Sequence, residues 1–457
     1  MKILFYSTSS SVYHGEAIKT ISLPSFTEQW EKLCEKHSEH EFFVATQLPG
    51  MFLCDTNGNE IIKAKKIRQI LLKNDNEKEI ASEIAEFKPD LAIALSFYVS
   101  PYDWLTIKDS VVAEHLRSLG IKTLAHPTEA ALICFDKWQT HNFLERIGVP
   151  CAKAVYLHHE LFINAGNYRD TKSNVYKTAV FQEVKKLRFP VIIKDTTGLS
   201  SFGADVVKNY EEALGILKSK KTSSDRIIEE MISGEQFGCE IYGIFDEKTG
   251  KGQYEIFPPF KFSTNQYGIT SPKQSIKIGP LPEYSALRKT LTRLAEKLRL
   301  NGVAQVDLVF DKKKWFVIEI NPRLSGMSTT YAASAKLPLS ELIFGALCHS
   351  EAKLKNDTIN TTAFLPTINI KFPILSSQRL SKLKNISYVA FVNQIENHAA
   401  RQIREQGYCE VILTGKSFKE LKENLLDLRE KFCDVAENTF FEKAMEMCDL
   451  LIRQRAI

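Results

Sequence analysis

The chain has 457 residues, 44% hydrophobic and 25% charged, with a formal net charge of +5. That is the composition of an ordinary globular protein, too long for a single core, so two to four domains or subdomains are expected. The modest, dispersed charge argues against a nucleic-acid face, and no apolar run approaches the roughly 20 residues of a membrane helix. Nine cysteines stand singly, without CxxC or zinc-type spacing, which points to reduced thiols and a cytoplasmic location.

In chain order, "KILFY" reads as a first strand rather than a signal peptide. It is followed by a helical "FTEQWEKLCEKH", an apolar "PDLAIALSF", the helix "VVAEHLRSLG" closed by Gly120, and a strand at "KTLAH". This alternation predicts a parallel α/β domain over residues 1–125, with ligands met at the carboxyl ends of its strands. Residues 128–148 form a helical region with Asp136 as an N-cap and Gly148 just past its end. Two strands, "FPVIIKD" and "RIIEEMI", then flank the helix "YEEALGILKSK". Near the C-terminus Ser417 and Glu420 have capping-box spacing. Phe418, Leu421, Leu425, Leu428 and Phe432 form one apolar helix face behind the strand "CEVILT".

The stretch "GVAQVDLVFDKKKWFVIEINPRL" reads as a hairpin turning at Lys312–Lys314. That loop sets Asp307 opposite Glu319, with Asn321 on the same face and Val306, Leu308, Ile318 and Ile320 on the core face. Opposed carboxylates repel, so either a cation such as Mg2+ sits between them or the hairpin is solvated and paired with nearby lysines. Arg323, one alternation further, offers a fork of donors suited to phosphate. Upstream, Lys194 ends an apolar strand before a loop holding Gly198, Ser200, Ser201 and Gly203. Such a loop can cradle phosphate or be an ordinary surface turn. Glu229 and Glu230 close a short strand, as nucleotide contacts or as a solvated strand end.

Taken in order, these motifs resemble the ATP-grasp superfamily, most closely over residues 1–350. The resemblance implies α/β and α+β architecture: a Rossmann-like pre-ATP-grasp domain at 1–125 and an ATP-grasp domain at 126–350. Residues of about 150–240 would form a mobile lid subdomain, and 351–457 a C-terminal α+β domain. The "DK" before a helix ending in "GVP" carries a nucleotide lysine onto Lys137, and "FPVIIKD" carries a second onto Lys194. The loop with Gly198, Ser200, Ser201 and Gly203 resembles the triphosphate lid. "IIEEMISGEQF" is similar to the adenine hinge, which holds the base through the backbone around Glu230 and Met231, with Glu229 nearby; Gln236 falls where a ribose-binding glutamate usually stands, with Glu235 its neighbour and Glu240 a further acidic position of the family. Metal ligands transfer to Asp307, Glu319 and Asn321, and the phosphoryl-steadying arginine to Arg323.

The resemblance further implies ATP and Mg2+, with Mn2+ able to substitute, and a carboxylate–amine ligase working through an acyl phosphate. Its substrates would be small carboxylates and amines, amino acids foremost, without nucleic acid or membrane. Many relatives of this size are homodimers. "QYGITSP" resembles a substrate-side stretch of dipeptide ligases, with Ile269 where a histidine often stands. The other readings are a biotin-carboxylase-like carboxylase, although the chain lacks an "MKM" carrier motif, a small-molecule kinase, or a nucleotide-binding regulator.

Overall fold

The computed structural model describes residues 1–8, 12–13, 16–17, 19–47, 53–57, 60–97, 105–163, 174–198, 204–219, 224–264, 270–275, 282–348, 364–396, 408–435 and 438–453. The N-terminal alternation folds as expected into a five-stranded parallel sheet. Its order is Lys122–Leu124, Leu91–Ala94, Lys2–Ser7, Glu41–Thr46, Arg68–Leu71. The chain leaves the first strand in one direction and later returns to its other side. The switch therefore falls between Lys2–Ser7 and Leu91–Ala94, whose carboxyl ends form a crevice. Among the described residues no helix is long and apolar enough to cross a membrane.

A separate four-stranded sheet is built from Ala154–Leu157, Arg226–Glu230, Val191–Asp195 and Asp205–Val207. One face packs on the helices Val175–Lys185 and Tyr210–Lys218 through Ile193, Ile228, Val184 and Leu217. Alternation then turns Lys194 and Glu229 to the other face. Helix Lys137–Arg146, capped by Asp136, ends where Gly148 takes φ +64°, a left-handed turn that a side chain would strain.

The third sheet has ten strands. From the hairpin Gly302–Phe310 and Trp315–Asn321 it runs through Glu235–Asp246, Phe260–Thr264 and Thr270–Ser275 to Thr367–Pro373, Tyr408–Thr414 and Val389–Glu396. Its far edge is Lys19–Leu23, a strand from the N-terminal segment that the sequence pattern did not reveal. The C-terminal strands thus continue the sheet that carries the hairpin. Along Glu235–Asp246, Phe237, Cys239 and Ile241 join the core under helix Pro282–Leu298, while Gln236, Gly238 and Glu240 point to the opposite face. A Cβ on Gly238 would lie 2.8 Å from Met327 Sδ, so the segment after Arg323 packs directly over this strand.

The hairpin differs from expectation in one respect. The turn spans 311–314, held by Asp311 Oδ1 accepting from the N–H groups of Lys313 and Lys314, and Phe310 pairs with Trp315. A bulge at Ile318 then restores the expected pairing of Asp307 with Glu319. The core face is accordingly Val317 and Ile320, and Ile318 is only half-buried rather than inside.

The C-terminal helix Phe418–Lys431 buries the expected face. Ser417 caps it, but Glu420 bonds back to the N–H of Lys416 rather than Ser417, so the capping box is displaced by one residue. Leu421 is fully buried in a cluster with Ile370, Val411 and Phe432. Leu421→Ala is expected to lower unfolding free energy by about 2–5 kcal/mol with an unchanged denaturant slope, measured by urea titration.

Candidate active site

The bulge places Asp307 and Glu319 side by side on the open face of the ten-stranded sheet, with Gln305 paired to Asn321 one alternation away. A chain of hydrogen bonds organises this face. Arg323 Nη2 donates to Asn321 Oδ1 (3.2 Å), Asn321 Nδ2 to Gln305 Oε1 (2.9 Å), and Gln305 Nε2 to Asp307 Oδ1 (2.5 Å). Burial and the neighbouring Glu319 push the Asp307 carboxyl up to about 7. A cation between the two carboxylates would relieve the same repulsion. The donors are hard oxygens from two carboxylates and an amide, which fits Mg2+ or Mn2+ and suits softer metals poorly.

Both lysines are directed at this face. Lys137 opens its helix, donates from Nζ to the Gly198 carbonyl (3.0 Å), and lies 3.7 Å from Glu319 Oε1. Its backbone N–H donates to Thr196, so the four-stranded sheet is tied to this helix. Lys194 Nζ lies 2.6 Å from Glu229 Oε2. Burial alone would lower the Lys194 ammonium, but Glu229, with Glu319 and Asp307 behind it, holds it above its ordinary value. Gly198 has φ +119°, a conformation suited to glycine. Ser200, Ser201, Gly203 and Ile269 lie outside the described residues.

The N–H groups of Glu230 and Met231 donate to the carbonyls of Lys153 and Pro190. Any backbone contact these two residues make to a ligand is therefore through their carbonyls. The Glu230 carboxylate accepts from the Arg188 N–H (2.9 Å) and points away from the lysines. Gln236 lies on the site face with its Oε1 buried and unpartnered, whereas Glu235 is on the opposite face in an ion pair with Lys261. Geometry thus favours Gln236 over Glu235 as the group available to a ligand.

The structure gives Glu240 its partners and adds two features that were not read from the sequence, Asp109 and Lys273. Glu240, fully buried, accepts from Ser325 Oγ (2.8 Å), Ser328 Oγ (2.6 Å) and Tyr242 OH (3.0 Å), fixing the segment after Arg323; burial pushes its carboxyl up to about 7. Asp109 is held by Thr8 Oγ1 (2.6 Å) and Ser96 Oγ (2.7 Å) at the crevice of the parallel sheet. It shares a small cavity with His126, Pro322, Arg323 and Leu324, where the segment after the hairpin meets the parallel sheet through the Phe97–Leu324 bridge. Lys273 lies on the site face 3.5 Å from Glu410, below Gly326. Residues of this kind declare themselves only through tertiary partners far along the chain.

Residues 152–337 match the family model described as "D-ala D-ala ligase C-terminus". The chain is 22% identical over 282 residues to a D-alanine--D-alanine ligase from Clostridium botulinum, covering 59% of this chain and 87% of that one. To a carbamoyl phosphate synthase large chain from Thermoplasma volcanium it is 23% identical over 266 residues, 56% of this chain and 24% of that one. The chain spans only 13% to 24% of the length of several curated relatives it matches. Among solved structures, an L-amino acid ligase from Bacillus licheniformis superposes with a TM-score of 0.62 at 14% identity, covering 94% of this chain and 97% of that one. These findings bear out the ATP-grasp resemblance, and the fold is the ATP-grasp fold.

Because Asp307 and Glu240 bind protons more tightly folded than unfolded, each destabilises the cation-free protein as pH rises from about 4 to about 7. In chelator, Asp307→Asn should therefore gain stability relative to the parent across that window. Added Mg2+ should narrow the gap at the upper end. Urea titrations at stepped pH measure both effects.

Proposed function

We propose that this chain, an ATP-grasp protein, is an ATP-dependent ligase that joins a small carboxylate to an amine. The observation that carries the reading is the forced pairing of Asp307 with Glu319 on a face reached by Lys137 and Lys194. Four-residue coincidences of this kind suit a bound polyphosphate and its cation. We read the nucleotide as lying between the four-stranded sheet, taken as the lid subdomain, and the open face of the ten-stranded one. Carbonyls near Glu230 and Met231 would receive the base amine, and Gln236 the ribose.

Mg2+, held by Asp307, Glu319 and Asn321, would supply charge neutralisation and alignment of the phosphate oxygens. Lys137 and Lys194 would offset further phosphate charge, and Gly198 would let backbone approach closely. The substrate carboxylate oxygen attacks the γ-phosphorus, the β–γ bridge bond breaks, and ADP leaves with an acyl phosphate remaining. An amine nitrogen then attacks the acyl carbon, the carbon–oxygen bond to phosphate breaks, and the amine sheds a proton as the amide forms. Arg323, which donates to Asn321 and to the Leu324 carbonyl, would hold the transferred phosphoryl group. The protein's contribution is positioning, charge balance and exclusion of water from a hydrolysable intermediate. Amino acids are the substrate class proposed, in keeping with the relatives' names, and nine free cysteines accord with a cytosolic enzyme.

Incubation with Mg-ATP, pooled amino acids and small carboxylates should release phosphate in an amine-dependent manner, with a product at the mass of a dehydrated pair. Glu319→Ala should lower turnover roughly 10²–10³-fold while circular dichroism stays unchanged. ADP formation with a phosphorylated product and no free phosphate would point instead to a kinase. Failure of the protein to bind Mg-ATP at all would overturn the nucleotide reading.

A further inference from the structure

A second group of ligand-type side chains gathers along the helix that opens at Lys137. His141 and Glu145 are four residues apart on helix Lys137–Arg146 and so share one face. The Gly148 turn, closed by the Gly148 and Val149 N–H groups donating to Glu145 (3.0 Å) and Leu144 (2.9 Å), folds the chain back so that Cys151 meets that face. His141 Nε2 lies 3.3 Å from Glu145 Oε1, and the imidazole, carboxylate and thiol donor atoms all lie within 4.8 Å of one another. Among the described residues this is the one group of three His, Cys, Asp or Glu side chains so closely gathered.

We propose that His141, Glu145 and Cys151 form a binding site for a zinc-class divalent cation. Nitrogen, sulfur and a single carboxylate are the donor set of a borderline-soft ion and a poor one for Mg2+, so the site is chemically distinct from Asp307 and Glu319. Three protein ligands leave the fourth tetrahedral position to water. Two of the ligands are pre-set. The His141 ring stacks on Trp138 (5.3 Å, 13° between planes), which stacks in turn on Tyr156, and Pro150 beside Cys151 is fixed by the Val317 N–H (2.9 Å). Glu145, with its side chain 60% exposed, is free to swing the small distance that closes a tetrahedron. Sequence spacing hides the set, because one ligand arrives through a helix cap rather than a CxxC or HxxxH pattern. A bound cation would tie the helix that begins at Lys137 to the segment leading into strand Ala154–Leu157. The inference rests on this geometry and is independent of the ligase reading.

Co2+ serves as the spectroscopic probe, titrated into the full chain under saturating Mg2+ so that hard-oxygen sites are filled. The expected result is a thiolate-to-cobalt charge-transfer band that saturates at one ion per chain and is bleached by Zn2+. It should be retained in Cys433→Ser, whose thiol is exposed elsewhere, and absent in Cys151→Ser. Glu145→Gln, a change on the exposed side of the helix, should weaken Co2+ binding about tenfold or more. No band in the parent, a band surviving in Cys151→Ser, or unchanged affinity in Glu145→Gln would each overturn the site.

Discussion

Two carboxylates are held opposite each other on neighbouring strands, and much of the surrounding structure accommodates that repulsion. Asp307 and Glu319 share a rung of an antiparallel ladder, where like charges are unfavourable. A bulge at Ile318 creates the rung, since without it the shortened register would set another residue against Asp307. The surroundings answer with positive charge and donors: Lys137 near Glu319, Lys194 across the gap, and the relay from Arg323 through Asn321 and Gln305. A fold that needed only stability would have placed apolar residues there.

The elements that carry these groups come from distant parts of the chain and are joined by specific polar links. Lys137 reaches the loop after Lys194 through Gly198 and Thr196, joining helix to four-stranded sheet. Glu240 clamps Ser325 and Ser328, fixing the segment that follows Arg323 over Gly238. That segment meets the carboxyl-end crevice of the parallel sheet at Phe97 and Leu324. The segment from Asn321 to Leu324 therefore links the carboxylate pair to the crevice, and the C-terminal strands extend the same sheet as far as Lys19–Leu23.

Much of this was legible in the sequence. Strong periodicity exposed the parallel domain, the lysine strand, the cap at Asp136 and the apolar face from Phe418 to Phe432. Asp307 and Glu319 were legible because strand alternation alone puts them on one face. Their pairing came out right although the turn proved one residue longer, because the bulge compensates; the expected inward side chain of Ile318 did not survive that compensation. Lys19–Leu23 was not legible, since its partner strand lies some 370 residues onward and local pattern carries no such information. Asp109 and Lys273 were missed, and the clamp made by Glu240 was not foreseen, because a buried ionisable group is indistinguishable in sequence from a surface one.

On the reading proposed above, the paired carboxylates hold a hard divalent cation alongside a nucleotide. Electron paramagnetic resonance of Mn2+ titrated with ADP into the parent, Asp307→Asn and Glu319→Gln proteins tests it most directly. ADP is expected to draw Mn2+ from solution onto the parent chain, and either substitution to lose most of this uptake. Equal Mn2+ uptake by all three proteins would contradict it.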